Sequence, residues 1–561
     1  MSFQTNADCI HEVVKFLRHD TKSLHSCLLV NRLWCEMSAP ILWKDPWAKF
    51  FNVPLSKPSF TQPSALISTY IASLPQESLN TLEMNGLNVS QFTSTTVFNY
   101  PKYLRCLDLE FLYWLVVRWV RENINKEHKN KAVFQPLKKV VRRFKKFGKR
   151  SSPSSDTWTT MPPQDKVRVV CSELLSLFLR ESPKIYILRI NDYSKVEIFP
   201  QLLENLGSRK NCLSFLRGLE CRDKPLMDNI FNQLSLLTTD ITQILIIGSY
   251  NTESLANLVR VQKKIQKVCF ENFSRISPDE YWTASGVGYE LSKKTSFITS
   301  LHLLNSCALL TKLSDFVNLQ ELTVQCIEER RCDHTETLTP PVLKHLTKLK
   351  FRCSHDYTLE YLADLIDHTV GKLRKITIEG GRITDPQNSF NLVHSIANKC
   401  PHLRSCSIPM SSNNPKLNWI MEFCGRLKDL RLYAIQDTDA LYDSTSINGS
   451  SNSRNHSNNR LFGRNDGSNV SINRAYSDTL LYQLLDNVPT KLRRLDLIDW
   501  SFSPPVWEFF LKTQSKTHLQ HICYYWNDKT KPSDEFLKIC RQCRKHGELA
   551  TFKSIDSYWK W

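Results

Sequence analysis

Apolar residues recur along the chain in one spacing: an aliphatic residue, two variable positions, a second aliphatic residue, one variable position and a third. Six clear copies are Leu104-Leu107-Leu109, Leu319-Leu322-Val324, Leu346-Leu349-Phe351, Leu373-Ile376-Ile378, Leu427-Leu430-Leu432 and Leu492-Leu495-Leu497. Eight looser copies begin at Leu79, Ile185, Leu216, Ile241, Ile265, Ile298, Leu403 and Leu519. Most neighbouring copies start 21 to 33 residues apart. Self-similarity of this kind is typical of repeat architectures.

Each copy predicts a short strand that is followed by a helix. The second and third aliphatic positions alternate with other residues, as in a strand that buries one face. The 15 to 25 residues between copies suit a helix, for example in Ser395–Leu403 and Asn418–Leu427. The predicted fold class is therefore α/β. An ordinary α/β domain with short buried strands is the alternative to a repeat array.

Over roughly residues 75 to 530 the pattern resembles that of leucine-rich-repeat proteins. The resemblance implies a solenoid with parallel strands on its concave face and helices on its convex face. One family feature is missing, the Asn or Cys three residues after the last leucine. That place is occupied by Ile327, Ser354, Gly381, Ile435 and Trp500. The expected solenoid is therefore irregular.

The concave surface of a solenoid is built from the strand residues that alternate with the buried ones. On this basis the predicted target-binding residues are Lys348, Lys350, Arg352, Arg431, Tyr433, Arg494, Asp496 and Tyr525, with Glu379 on the same face. Tyr and Arg often anchor protein interfaces, so this face suits a protein target. A register error of one residue would invert the assignment.

The first fifty residues predict a helical module. One apolar stripe at helical spacing contains Ile10, Val13, Val14 and Leu17, and a second run contains Leu24, Cys27, Leu28 and Trp34. A turn is expected at Asp20 to Lys22, and Pro40 is expected to end the second run. A short apolar cluster follows, made by Ile41, Leu42, Trp43 and Trp47. So small a module cannot bury all these side chains alone, so some should face another chain or the repeats.

Residues 8 to 46, with the segments SCLLVNRLWC and PILWKDP, closely resemble an F-box of the type found in large fungal families. The resemblance implies a three-helix fold that docks on the Skp adaptor of a cullin-RING ubiquitin ligase. The adaptor-binding positions it implies are Ile10, Val14, Leu17, Leu24, Leu28, Val30, Trp34, Ile41 and Trp43, shared between the module's own core and the interface. Thr5 and Asn6 stand where the motif has Leu-Pro, which removes one apolar anchor. The alternative is a module that caps the first repeat.

The net charge of +19 is concentrated in one segment. Residues 126 to 150 contain eleven Lys or Arg and one Glu. Apolar residues there recur at helical spacing, and the other face holds Lys138, Lys139, Arg142, Arg143, Lys145, Lys146, Lys149 and Arg150. Four interpretations stay open: a solvated helix docked on the repeats, a nuclear-import signal, a contact with an anionic membrane, and a nucleic-acid patch.

Six segments are predicted from these patterns. They are the F-box-like module (1–50), the first repeats (51–122), a basic, disordered insert (123–164), the repeat solenoid (165–442), a Ser/Asn-rich disordered loop (443–475), and the terminal repeats with a C-terminal cap (476–561). Together, an F-box and leucine-rich repeats resemble the substrate-receptor subunit of an SCF-type ligase. The implied partners are a Skp-type adaptor, a cullin through it, and a target protein. A scaffold outside any ligase, and an adaptor for anionic surfaces or nucleic acid that uses the basic insert, are the alternatives.

The remaining chemistry points away from an enzyme. The spacings typical of phosphate-binding loops, serine hydrolases and zinc proteases are missing from the sequence, so no catalytic site, cofactor or small-molecule substrate is expected. Cys540, Cys543 and His546 lack a second CxxC at zinc-ribbon distance, so an amphipathic C-terminal helix is favoured over a metal site. The sequence start lacks a secretory signal pattern, so a cytoplasmic protein is expected, with nuclear import as an alternative. The eighteen cysteines are expected to be reduced, small apolar residues.

Overall fold

The computed structural model describes residues 3–48, 62–92, 96–133, 163–190, 213–222, 228–247, 253–271, 286–304, 313–326, 340–353, 357–379, 386–411, 417–435, 477–485, 488–514, 519–526, 533–545 and 550–554. The chain divides into two units. Unit 1 comprises Met1–Ile265 with Trp282–Leu291, and unit 2 comprises Gln266–Tyr281 with Ser292–Trp561. Both units are α/β, with parallel strands in chain order and an open sheet, which confirms the predicted fold class.

Unit 1 contains ten helices and four strands among its described residues. The helices are α1 (Phe3–Phe16), α2 (Thr21–Leu28), α3 (Arg32–Leu42), α4 (Gln62–Ile71), α5 (Gln76–Met84), α6 (Leu109–Val133), α7 (Gln164–Glu181), α8 (Asp228–Leu237), α9 (Glu253–Val261) and α10 (Val287–Ser292). The strands are β1 (Cys106–Asp108), β2 (Ile187–Ile190), β3 (Gly218–Arg222) and β4 (Gln243–Ile247), and each pairs in parallel with the next.

The N-terminal module, residues 3–48 of unit 1, forms three helices whose starts are set by polar side chains. Asp20 caps α2 by accepting hydrogen bonds from the backbone N–H groups of Lys22 and Ser23, and Asn31 caps α3 through Trp34. The expectation that Pro40 ends a helix is wrong, because Pro40 lies inside the last turn of α3. A proline there removes only one intrahelical hydrogen bond close to the end, so the helix continues to Leu42.

The segment after α3 joins the module to the first strand of unit 1. The Lys44 carbonyl accepts hydrogen bonds from the backbone N–H groups of Arg105 (2.9 Å) and Cys106 (3.1 Å). The same two-donor pattern then links Arg105 to the start of β2. Trp47 is fully buried and its indole N–H donates to the Cys106 carbonyl over 2.8 Å. Residues 44 to 47 therefore act as the first step of the ladder that the strands continue.

Two sequence-based boundaries in unit 1 need correction. Helix α6 continues to Val133, so the predicted disordered insert at 123–164 begins with ten or more helical residues. The apolar run at the start of α6 nucleates this helix, and the following Lys, Glu and Asn residues do not stop it because they lack Pro and Gly. The looser repeat copy at Leu79 lies on helix α5 instead of a strand, because its first two positions, Leu79 and Leu82, also fit helical spacing.

Unit 2 contains six helices and ten strands among its described residues. The helices are α11 (Tyr357–Asp367), α12 (Pro386–Lys399), α13 (Leu417–Phe423), α14 (477–485), α15 (Pro504–Gln514) and α16 (Asp534–Lys545). The strands are β5 (Lys267–Glu271), β6 (Ser300–Leu304), β7 (Glu321–Cys326), β8 (Lys348–Cys353), β9 (Lys375–Glu379), β10 (Ser405–Ser411), β11 (Asp429–Ile435), β12 (Arg494–Ile498), β13 (His521–Trp526) and β14 (Ala550–Ser554).

The aliphatic triplets of unit 2 are neighbours in its sheet. Leu322 on β7 pairs with Leu349 on β8, and Leu349 pairs with Ile376 on β9. Leu430 and Leu495 pair in the same way across β11 and β12. These side chains are all at most 1% exposed. Because parallel strands need a crossover of a dozen or more residues, the helices between copies follow from the repeat spacing. Strand β14 has no predicted copy and was missed by the sequence pattern.

An aromatic stack fills the core between β12, β13 and α15. Trp500 stacks on Phe502 with ring centroids 6.2 Å apart, and Phe502 stacks on Trp507 at 5.3 Å. The Trp500 indole N–H donates to the Leu432 carbonyl over 3.0 Å, and the Tyr524 hydroxyl donates to the Trp500 carbonyl. Trp500 occupies the position where leucine-rich repeats have Asn or Cys. At this position the Trp500 ring is buried in the core, and its indole N–H makes the hydrogen bond to the Leu432 carbonyl.

Most cysteines in the described part of the chain are buried thiols. Cys171, Cys221 and Cys406 are fully enclosed, and burial raises the pKa of each thiol above its ordinary value. Cys9 is exposed. Within the described ranges no helix is both long and apolar enough to cross a membrane.

Candidate functional site: two surfaces for partners

The structure divides the predicted adaptor-binding residues by burial. Val14 and Leu24 are at most 1% exposed and belong to the core of the N-terminal module. Val30 is 60% exposed. The others are half-buried, namely Ile10, Leu17, Leu28, Trp34, Ile41 and Trp43. The module thus encloses part of the predicted set and leaves one member open, and whether any of them binds an adaptor stays a prediction.

Trp43 is half-buried because it packs against Tyr70 on α4 and against Tyr100, which precedes β1. Its ring lies edge-on to Tyr70, with centroids 5.4 Å apart, and tilted against Tyr100 at 4.2 Å. Tyr70 is itself fully buried and also contacts Trp47 and Phe178. Part of the Trp43 side chain is therefore buried by contacts within the protein. Replacing Trp43 would disturb the fold as well as any interface.

Four apolar side chains of the N-terminal module face outward, and we call them the open face. Val13 and Phe16 lie three positions apart on α1 and are 49% and 86% exposed. Leu29 and Val30 lie in the turn between α2 and α3 and are 88% and 60% exposed. Sequence reasoning missed Phe16 and Leu29 as binding candidates. Their apolar character alone does not distinguish these exposed residues from the buried ones beside them.

The second surface is the outer face of the unit 2 sheet, formed by strand residues that alternate with the buried aliphatic ones. Along β8, Lys348 and Lys350 are exposed and Arg352 is half-buried, while Leu349 and Phe351 are buried. The predicted alternation is thus present on this strand. Acidic residues on the flanking strands pair with the two lysines: Lys348 with Glu321 on β7, and Lys350 with Glu379 on β9 at 3.8 Å.

The outer face differs towards β11–β13, where several predicted target-binding residues are buried. Tyr433, Asp496 and Tyr525 are 9%, 1% and 6% exposed. Tyr433 pairs in register with Ile498, and Ile498 pairs with Tyr525, which forms an apolar row that the chain covers. The expectation of open side chains at these three positions is therefore corrected. Alternation predicts the face of the sheet on which a residue lies. It does not predict whether that face is exposed to solvent.

Asp496 holds two arginines at the edge of this row. Its Oδ2 accepts from Arg431 Nη2 over 2.8 Å, and its Oδ1 accepts from Arg494 Nε over 2.9 Å. The Asp496 side chain is 2% exposed, whereas Arg431 and Arg494 are 26% and 40% exposed. The hydrogen bond from Arg494 to the carboxylate raises the pKa of the guanidinium above its usual value. The buried carboxylate thus orients two cations towards the accessible surface.

Two titratable groups on the outer face have displaced pKa values. The hydrogen bond from Lys348 lowers the pKa of the Glu321 carboxyl. Burial lowers the pKa of His302, because a charged imidazolium loses hydration there. Both shifts favour the deprotonated form at neutral pH, which is the carboxylate for Glu321 and the neutral imidazole for His302.

The remaining predicted sites lie at the margin of the described residues or beyond it. The basic-insert residues from Lys138 to Arg150 and the Ser/Asn-rich segment 443–475 lie outside them. Cys540 and Cys543 lie on helix α16, as expected for the C-terminal helix, and His546 lies outside the described ranges. Within those ranges no group of three or more His, Cys, Asp or Glu side chains could hold a metal ion.

No protein-family model matches this chain, and no curated protein matches it either. The function therefore has to be argued from the two surfaces themselves. One is apolar and small, on helices of the N-terminal module, and the other is charged and broad, on the strands of unit 2.

Proposed function

We propose that this protein is the substrate-receptor subunit of an SCF-type, cullin-RING ubiquitin ligase. The N-terminal module docks on a Skp-type adaptor, which links it to a cullin. The repeats form a leucine-rich-repeat solenoid, and its outer strand face binds a target protein. The chain then contributes recognition only, and the transfer of ubiquitin is carried out by the other subunits.

The open face is the single observation that carries the adaptor-binding half of the proposal. Phe16 and Leu29 are 86% and 88% exposed although both are large apolar residues in a small helical module. Large apolar groups left exposed within one small module favour a surface that binds another protein. Aromatic and aliphatic anchors of this kind contribute most of the binding free energy at such interfaces.

The alternative role of the module, a cap on the repeats, has an observation of its own in its favour. The Lys44 carbonyl and the Trp47 indole bond to the first strand of unit 1, so the module covers the start of that sheet. Capping uses residues 44 to 47, whereas the open face lies on α1 and the α2–α3 turn. The two roles use different residues and are compatible.

The adaptor hypothesis is tested by copurification of the purified chain with a Skp-type adaptor. The double variant Phe16→Ser with Leu29→Ser should lose adaptor binding by about thirtyfold or more, because two central apolar anchors disappear. The control is Met84→Ser with Leu236→Ser, since these residues are 88% and 81% exposed outside the module. Its binding should match that of the parent chain.

Unchanged adaptor binding by the Phe16/Leu29 variant would contradict the proposal. A chain that captures partner proteins but no adaptor and no cullin would instead indicate a scaffold outside any ligase. Circular dichroism of both variants separates lost binding from lost folding. Because all four residues are exposed, neither variant should unfold.

A further inference from the structure

The strands of unit 2 begin at a repeated backbone step that places equivalent residues side by side. At each step one carbonyl accepts hydrogen bonds from two successive N–H groups of the next strand. Thus the Arg374 carbonyl accepts from Arg404, the Arg404 carbonyl from Lys428, and the Lys428 carbonyl from Arg493, each over 2.8 Å. These four residues precede β9, β10, β11 and β12 and stand next to one another along one edge of the sheet.

All four residues at this edge are basic, and more basic residues adjoin them. Arg374, Arg404, Lys428 and Arg493 are exposed. We call them, together with their basic neighbours, the basic ladder; the neighbours are Lys372, Lys375, Arg426, Lys491 and Arg494. Adjacent strands lie about 4.8 Å apart, so the ladder presents its cations at that interval across four strands.

Few acidic side chains among the described residues neutralise the basic ladder. Within the described ranges, Arg494 is the member whose ion pair with an acidic side chain is recorded, and its partner is the buried Asp496. Asp429 is the acidic residue at the same edge, beside Arg494 in register. Like charges on directly opposed positions of neighbouring strands destabilise a sheet. A run of cations is therefore a cost in the free chain that an anionic partner would offset.

The fold itself does not require charge at these positions. The equivalent steps before β5, β6, β7 and β8 are occupied by neutral residues, namely Gln266, Thr299, Gln320 and Thr347. Their carbonyls make the same two-donor hydrogen bonds to the next strand. Gln520 takes the equivalent place before β13. Basic residues at this step thus run without interruption from β9 to β12, whereas before the strands of unit 1 they stand singly, at Arg105 and Arg217.

We propose that the basic ladder binds an acidic, extended polypeptide segment of a partner protein. A chain laid across the strand starts rises about 3.3 Å per residue, so its flexible glutamate side chains can reach cations about 4.8 Å apart, and arginine forks bind carboxylates through two parallel hydrogen bonds. Asp429 stands at the same edge in register with Arg494, so a repeating phosphate backbone would meet a carboxylate there, whereas a polypeptide can place an uncharged residue at that point. This favours an acidic peptide over single-stranded nucleic acid. The inference does not rest on adaptor docking, which uses the N-terminal module.

The test uses the full chain and a fluorescein-labelled peptide rich in glutamate, with duplex DNA of equal total charge as the second probe. The quadruple variant Arg374→Gln, Arg404→Gln, Lys428→Gln and Arg493→Gln should bind the peptide about tenfold or more weakly at low ionic strength. The control removes four exposed positive charges elsewhere: Lys102→Gln, Arg168→Gln, Lys538→Gln and Arg541→Gln. Its affinity should stay within about twofold of the parent chain.

Zero-length crosslinking locates the peptide and separates the basic ladder from the basic insert. Carbodiimide should join glutamate carboxylates of the peptide to Lys372, Lys375, Lys428 or Lys491. Equal peptide binding by the ladder variant and the control, crosslinks confined to residues 126 to 150, or no binding of either probe would overturn the proposal. Tighter binding of the duplex than of the peptide, lost in the ladder variant, would overturn it in favour of a nucleic-acid surface.

Discussion

The N-terminal module contains two apolar regions that look alike in sequence and differ in the structure. The joint, residues 43 to 47, is enclosed: Trp47 is fully buried, and Trp43 packs on Tyr70 and Tyr100. The open face on α1 and the α2–α3 turn keeps Phe16 86% exposed. The joint is covered because its backbone continues the ladder of the sheet. In the joint, apolar residues thus become core because the main chain beside them hydrogen-bonds to a strand.

The largest effect is expected when the joint is broken at Trp47. Trp47→Ala should lower the free energy of unfolding by about 3–5 kcal/mol, since it leaves a cavity and an unpaired Cys106 carbonyl. Urea denaturation followed by circular dichroism measures this. Trp47→Phe is the matched control, because it keeps most of the ring and loses the indole hydrogen bond, and it should cost clearly less. Equal stability of Trp47→Ala and the parent chain would show that the joint is not part of the core.

A second prediction concerns how the stability of the region next to the joint depends on pH, through the titration of Asp108. Asp108 ends β1, accepts a hydrogen bond from the Phe111 N–H, and is buried, so burial raises the pKa of its carboxyl to about 7. The folded state therefore binds a proton that the unfolded state has released above pH of about 4. The stability contributed by this proton is present at low pH and lost as the pH rises through about 7.

Asp108→Asn removes this titration and keeps the acceptor for Phe111. Between pH of about 5 and 8 the parent chain should lose about 2 to 3 kcal/mol relative to the Asn variant. Urea denaturation of both proteins at the two pH values gives the difference. A constant gap between the two proteins across this range would mean that Asp108 titrates normally, and that the strand next to the joint is open to water.

The repeated strands could be predicted from sequence, and their accessible surface could not. Leu349, Ile376 and Leu430 were assigned to buried positions because alternation has a period of two, and the structure places them there. Tyr433 and Tyr525 also follow the alternation, yet they are buried in a cluster with Ile498 and Cys523 on neighbouring strands. Coverage depends on contacts between segments distant in sequence, which a local period does not contain.

The same limit explains the corrections in unit 1. The copy at Leu79 satisfies strand and helix spacing alike, and only the packing of α5 against α7 decides between them. The open face was missed for a related reason. Phe16 and Leu29 are apolar, and a pattern of apolar residues predicts burial unless the neighbouring elements are known.

The smallest expected effect on stability, and the sharpest test of the comparison, uses two adjacent valines of α1. Val14 is fully buried and Val13 is 49% exposed, although they have the same side chain and neighbouring positions. Val14→Ala should lower the free energy of unfolding by about 2 kcal/mol, from the lost methyl groups and the cavity. Val13→Ala should change it by no more than about 0.5 kcal/mol, since alanine also favours the helix.

Adaptor binding should reverse this order if the open face is the docking surface. Each variant is measured twice, by urea denaturation and by its affinity for a Skp-type adaptor at a temperature where both variants are folded. Val13→Ala should weaken the adaptor affinity severalfold while stability is kept, because Val13 lies on the same side of α1 as Phe16. Val14→Ala should leave the affinity of the folded fraction nearly unchanged. If Val14→Ala affected the adaptor affinity more than Val13→Ala, docking would depend on the enclosed stripe of α1, and the open face would need another partner.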